Sequence, residues 1–141
     1  LRARWGRKFN ASYLPFSREG FIVDAEIFPP DVVDNQKSIK LKMLVDTGAS
    51  ISGISGEIAA KLCLPQVGIQ EISTAGDIVK TAVFTGKVLF EPQHHWRKQQ
   101  IQMMEVDLAE QEIYQGLIGR ELLSGSMLTY IGFTGTCILS D

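Results

Sequence analysis

The 141-residue sequence is short of the features that mark most specialised classes: it has two cysteines, two histidines, two tryptophans and a formal net charge of −2. No apolar run approaches the roughly 18 residues a membrane helix needs, so this segment implies no membrane partner, and its start carries no signal-peptide pattern. Fourteen Lys and Arg against sixteen Asp and Glu give no cationic field for nucleic acid, whose phosphates demand clustered positive charge. Arg2, Arg4, Arg7 and Lys8 are the local exception and read as a solvated tail, so residues 1–19 are set apart as an N-terminal arm. Cys63 and Cys137 stand alone among apolar neighbours without a C-x-x-C spacing. That pattern suits reduced thiols and a cytoplasmic location, although a chain opening on Leu1 leaves an upstream segment open. His94 and His95 are adjacent, so on an extended segment they face opposite ways, and no cysteine or third histidine lies nearby. No metal or cofactor is expected. Gly116-x-x-Gly119 lacks the Gly-Lys-Ser/Thr that makes a phosphate loop specific.

What the chain does have is an ordinary globular composition, 45% hydrophobic and 21% charged, at a length that suits one domain, residues 20–141. Strand signals dominate. Phe21, Val23, Ala25 and Ile27 alternate until Pro29-Pro30, and Ile39 to Val45 begins as alternating apolar and basic residues before turning wholly apolar. Gly56 to Leu64 has helical spacing, with Ser55 as N-cap and Pro65 beyond its end. Strand returns from Ile69 to Phe90, broken at Ser73-Thr74-Ala75-Gly76-Asp77 by a hairpin tip, and again from Ile101 to Val106. Gly116 to Leu123 reads as a strand end passing into a helical turn, and Met127–Ile131 with Thr136–Leu139 as a closing hairpin. The predicted fold is mainly β, with one or two short helices.

Leu44-Val45-Asp46-Thr47-Gly48-Ala49-Ser50 carries the chemistry. A carboxylate at the end of a buried apolar strand is expensive unless it is hydrogen bonded. Thr47 supplies a hydroxyl and Gly48 lets the backbone approach closely. The run-in of apolar residues predicts that Asp46 is delivered to the middle of the protein rather than to its rim.

This stretch resembles the active-site strand of the aspartic proteases, hydrophobic-hydrophobic-Asp-Thr-Gly-Ala-Ser. Leu117-Ile118-Gly119-Arg120-Glu121-Leu122-Leu123 is similar to the second apolar strand of the retropepsin-like branch. Together the two motifs and the hairpin between them extend the resemblance over roughly Phe21 to Leu139, and the closing stretch looks most like bacterial members of that group. The resemblance implies a closed barrel-type acid-protease lobe and a single Asp-Thr-Gly per chain, so that a second copy must bring the second carboxylate. It makes Asp46, Thr47 and Gly48 catalytic: Asp46 activates water, Thr47 ties the two loops together, and the Gly48 N–H holds the carboxylate. Ala49, Ser50 and Ile118 would line the substrate site, with Ser73, Thr74, Ala75, Gly76 and Asp77 forming a flap over a peptide or protein substrate. Retroviral enzymes carry an acidic residue where Ser50 stands, and it pairs with the arginine that Arg120 matches. Ser50 cannot do this, which leaves the partner of Arg120 open. Three functions stay in view: an active homodimeric endopeptidase, a catalytically silent dimerisation or peptide-binding module, and a protease that processes its own precursor.

Overall fold

A computed structural model describes residues 11–17, 20–31, 37–73, 75–91, 99–110 and 113–140, with backbone alone for 11–17, 90, 91 and 99. The basic arm at Arg2, Arg4, Arg7 and Lys8, together with Thr74 and His94-His95-Trp96, lies outside the described residues. The elements in chain order are β1 (Ala11–Ser17), β2 (Gly20–Phe28), β3 (Ile39–Val45), β4 (Gly53–Ser55), α1 (Gly56–Lys61), β5 (Gln66–Ser73), β6 (Ile78–Glu91), β7 (Gln99–Val106), β8 (Gly116–Ile118), α2 (Arg120–Leu123), β9 (Met127–Ile131) and β10 (Thr136–Ser140). The mainly β class and the two short helices match the sequence prediction.

Strand order is β5-β6-β7-β4-β8-β3-β2-β1-β10-β9, and an extra β6–β2 pairing closes β2, β3, β8, β4, β7 and β6 into a ring. Closure follows from the length of β6. Its first half pairs with β5 from Ile78 to Phe84, and its second half reaches β2, where Val88 opposes Ile27. Inside the ring the period-2 pattern does what the sequence required of it. Leu41, Met43 and Val45 of β3 are buried while Lys40 and Lys42 face out, and Lys42 meets its cross-strand partner Asp24 at 2.8 Å. Ile27, Met43, Ile54, Met103 and Ile118 are each 0% exposed and form the centre of one core.

Residues 11–17, which the sequence reading assigned to the arm, form a strand shared between two partners. Ala11 to Pro15 pair with β10, and Phe16 and Ser17 pair with β2. Pro15 has no backbone N–H to donate, which fits a strand that changes partners at that point. The β9–β10 hairpin is fastened to the ring by an edge-on contact between the Phe21 and Tyr130 rings, 5.6 Å between centroids.

α1 begins where predicted, with Ser55 Oγ accepting from the Ile58 N–H. It ends in a Schellman motif: the Cys63 N–H donates to Ala60 O and the Leu64 N–H to Ala59 O, both at 3.0 Å. The left-handed position of that motif, ordinarily glycine, is Cys63 at φ 50°. Both cysteines are free thiols, and burial raises the pKa of Cys137 above the ordinary thiol range. Among the described residues no helix is long and apolar enough to cross a membrane, and no group of three or more His, Cys, Asp or Glu side chains is gathered to hold a metal ion.

Candidate active site

Parallel pairing of β3 with β8 sets Val45 opposite Ile118, and the Asp46 N–H extends the ladder by donating to Ile118 O at 2.9 Å. The chain then turns. The Ala49 N–H donates to Asp46 O at 3.2 Å, and the Gly48 N–H donates to Asp46 Oδ1 at 2.9 Å. The carboxylate is therefore oriented by its own turn, as Asp side chains commonly are two residues before a free backbone donor. A Cβ at position 48 would stand 3.1 Å from the same oxygen, so glycine keeps that approach open.

The segment from Gly119 to Glu121 braces this loop from behind. Arg120 N–H donates to Ala49 O at 2.9 Å, and Arg120 Nη1 donates to Thr47 O at 2.9 Å and Gly48 O at 3.0 Å. The open question about Arg120 is answered by the backbone: its guanidinium takes carbonyl oxygens of the Asp-Thr-Gly loop, which need no acidic side chain at position 50. At the far end of the loop, Ser52 is 0% exposed. Its Oγ accepts from the Gly119 N–H at 2.9 Å, and its own N–H donates to Glu121 Oε1 at 2.6 Å. The other oxygen, Glu121 Oε2, is buried with no hydrogen-bond partner among the described residues. Ser52 and Glu121 were not singled out in the sequence, and no local signal marks them, because their pairing joins segments far apart in the chain.

Asp46 does not lie in the middle of the isolated chain, as the apolar run-in predicted. It is half-buried, and Thr47 and Gly48 are exposed. β3 does run through the core, but the loop that follows it emerges at the surface. The Thr47 hydroxyl has no partner among the described residues. Ala49 is half-buried and Ser50 exposed. Ile118, expected to touch substrate, is 0% exposed. Its side chain belongs to the core, and alternation along β8 turns Leu117 outward in its place.

Leu117 lines an open cleft of about 1210 Å³. Ser55, Val106 and Leu108 form another part of its wall, and Ile72 and Val79 reach it from the β5–β6 hairpin. Ser73, Ala75, Gly76 and Asp77 sit exposed at the hairpin tip, with Gly76 at φ 144°. Asp46 itself is not part of the cleft wall. It stands beside it, because Leu117 immediately precedes the Ile118 carbonyl that receives the Asp46 N–H.

The closed strand ring with its two short helices matches the fold of a retropepsin-like lobe. The crystal structure of a retropepsin-like aspartic protease from Rickettsia conorii matches 98% of this chain and 96% of its own, with a TM-score of 0.61 at 23% sequence identity. At that identity the likeness establishes the fold. No protein-family model matches the sequence, and no curated protein matches it.

Proposed function

We propose that the chain is one subunit of a homodimeric aspartic endopeptidase. The observation that supports this most directly is the Asp46 carboxylate, held by the Gly48 N–H on a surface loop that Arg120 and the Gly119–Ser52 contact brace. A carboxylate fixed on an exposed loop, beside a Thr47 hydroxyl with no hydrogen-bond partner among the described residues, would serve as half of a two-carboxylate site. The chain has a single Asp-Thr-Gly, so the other half comes from a second copy across a two-fold axis.

Two carboxylates a few ångströms apart cannot both ionise cheaply, so the pair holds one proton between them. The ionised member takes a proton from a water lying between the two, and that water attacks the scissile carbonyl. The protonated member donates to the developing oxyanion. The proton belongs to the pair, and neither Asp46 is permanently the acid. Thr47 would hold the two loops in register across the axis. The peptide would lie extended along the cleft, under a flap formed by residues 73–77, of which Thr74 is outside the described residues.

Asp46→Asn tests this reading, because the amide preserves shape and removes the ionisable function. The expected result is loss of peptide cleavage with an unchanged melting temperature and an unchanged dimer. Peptide binding without cleavage by the unsubstituted protein, under every condition, would instead leave a binding module.

A further inference from the structure

From Leu122 to Ser140 the sequence has no Asp, Glu, Lys or Arg, although 21% of the chain is charged. Most of that stretch folds into the β9–β10 hairpin, and its most exposed large side chains are apolar or aromatic. Phe133 at the turn is 94% exposed, and Met127 and Tyr130 of β9 are each more than half exposed. Apolar surface gathered on one uncharged element marks a contact face rather than a solvated one.

The backbone of the hairpin points the same way. β5 and β9 end the strand order, so among the described residues each has a pairing strand on one side only. Proteins guard such edges with bulges and charge. β5 is guarded both ways: a bulge between Gln66 and Gly68 breaks its ladder with β6, and Glu71 meets Lys80 across that ladder at 3.8 Å. β9 has neither device. Its ladder with β10 runs from Met127 to Ile131 without a shift, and none of those residues is charged. A regular, uncharged edge accepts another strand.

The hairpin also stands at the end of the ring where Asp46 emerges. Tyr130 packs edge-on against Phe21, and the next residue, Ile22, opposes Leu44, two residues before Asp46. α2 is a second tie. It starts at Arg120, which holds the Asp46 loop, and only Ser124 to Ser126 separate its end from Met127. A second copy that brings its own Asp46 to this one brings its hairpin to the same region. About a two-fold axis, residues near the axis meet their own kind, so a charge there would repel itself. An uncharged strand meets its copy without that cost.

Resting on the two-copy protease reading above, we infer that β9 pairs antiparallel with β9 of a second copy, so that the two hairpins form one continuous sheet beside the paired Asp46 loops. This pairing turns the Phe133 end of each hairpin toward the Met127 end of the other and takes both side chains out of water.

Thr129, exposed at the middle of β9, is the position for the test, and sedimentation velocity reads the dimer. Thr129→Lys raises the dimer Kd by about tenfold or more, and added salt recovers part of the loss. Mixing Thr129→Lys with Thr129→Glu restores the dimer, whereas Ile69→Lys on β5 leaves it unchanged. In the unsubstituted protein, amide exchange at residues 127–131 slows as the concentration is raised through dimerisation, and this decides alone if the substituted chains do not fold. A dimer that Thr129→Lys leaves intact overturns the proposal while the protease reading stands with its contact elsewhere. A monomer at every concentration overturns it as well, and monomers that co-sediment with phosphatidylcholine vesicles would assign the hairpin to a lipid surface instead. A dimer split by Thr129→Lys and rejoined by mixing, yet unable to cleave any peptide, supports the β9 contact and sinks only the protease reading.

Discussion

Gly119 and Ser52 meet so closely that no side chain fits between them. The Gly119 N–H donates to Ser52 Oγ at 2.9 Å, while a Cβ on Gly119 would lie 2.8 Å from Ser52 N and 2.6 Å from the Ile51 carbonyl carbon. Both obstacles are backbone, which cannot rotate aside. This contact ties the end of the Asp46 loop to the turn that carries Arg120.

Gly119→Ala therefore costs more than an ordinary surface substitution: about 1–3 kcal/mol, the range for forcing atoms into packed space. Ser52→Ala should fall in a similar range of about 1–3 kcal/mol for a different reason, since it leaves the Gly119 N–H buried without an acceptor. Denaturant midpoints measure both. A neutral Gly119→Ala would mean that the loop and the turn separate easily.

Arg120→Ala separates stability from positioning. The guanidinium is exposed, so its two hydrogen bonds to Thr47 O and Gly48 O contribute at most about 1 kcal/mol to folding. The same bonds fix the loop on which the Asp46 carboxylate sits, and small misplacement of a reacting group is costly in rate. Cleavage should fall by about tenfold or more with KM little changed, while the unfolding midpoint moves slightly. A fall in kcat that simply tracks lost stability would remove the positioning role.

Cys63 offers a substitution in the opposite direction. It occupies the left-handed position of the α1 C-cap at φ 50°, where a Cβ is disfavoured by roughly 1 kcal/mol relative to glycine. Cys63→Gly should raise the unfolding free energy by up to about 1 kcal/mol and leave cleavage unaltered. Thermal unfolding under reducing conditions checks it, and destabilisation would show that the thiol makes a packing contribution larger than the strain.

The parts of this arrangement that were legible in the sequence are those that depend on neighbours along the chain. Alternation located Leu41, Met43 and Val45 inside and Lys40 and Lys42 outside. Ser55 announced the start of α1, and the Gly-bearing tip at 73–77 announced the β5–β6 hairpin. The two motifs that meet at the candidate site were recognisable separately by resemblance, but their geometry was not. Arg120 and Thr47 are 73 residues apart in sequence, and nothing local says that a guanidinium will choose carbonyl oxygens when Ser50 offers no charge. Ile118 was misassigned to the substrate side because an apolar residue beside a motif carries no sign of which face it takes. Only the register with Val45 turns Leu117 outward. Residues 11–17 were missed as a strand because Pro15 and the preceding basic residues mask the pattern.

The pH and concentration dependence of cleavage tests the shared-proton dyad without knowledge of the natural substrate. On the proposed two-copy reading each chain brings one Asp46, so activity per subunit should fall on dilution. Activity that was independent of concentration in a demonstrated monomer would contradict the two-copy site. Within the dimer, a pair that must hold one proton is inactive when it holds two and inactive when it holds none. The rate profile should therefore be bell-shaped. Its acid limb lies where both carboxylates hold a proton, and its basic limb where both are ionised. A statine-containing peptide, which places a hydroxyl where the attacking water would bind, should inhibit across the whole bell. Cleavage that is flat with pH and indifferent to that inhibitor belongs to another mechanism, because no single carboxylate and no loop geometry of this chain alone can produce both limbs.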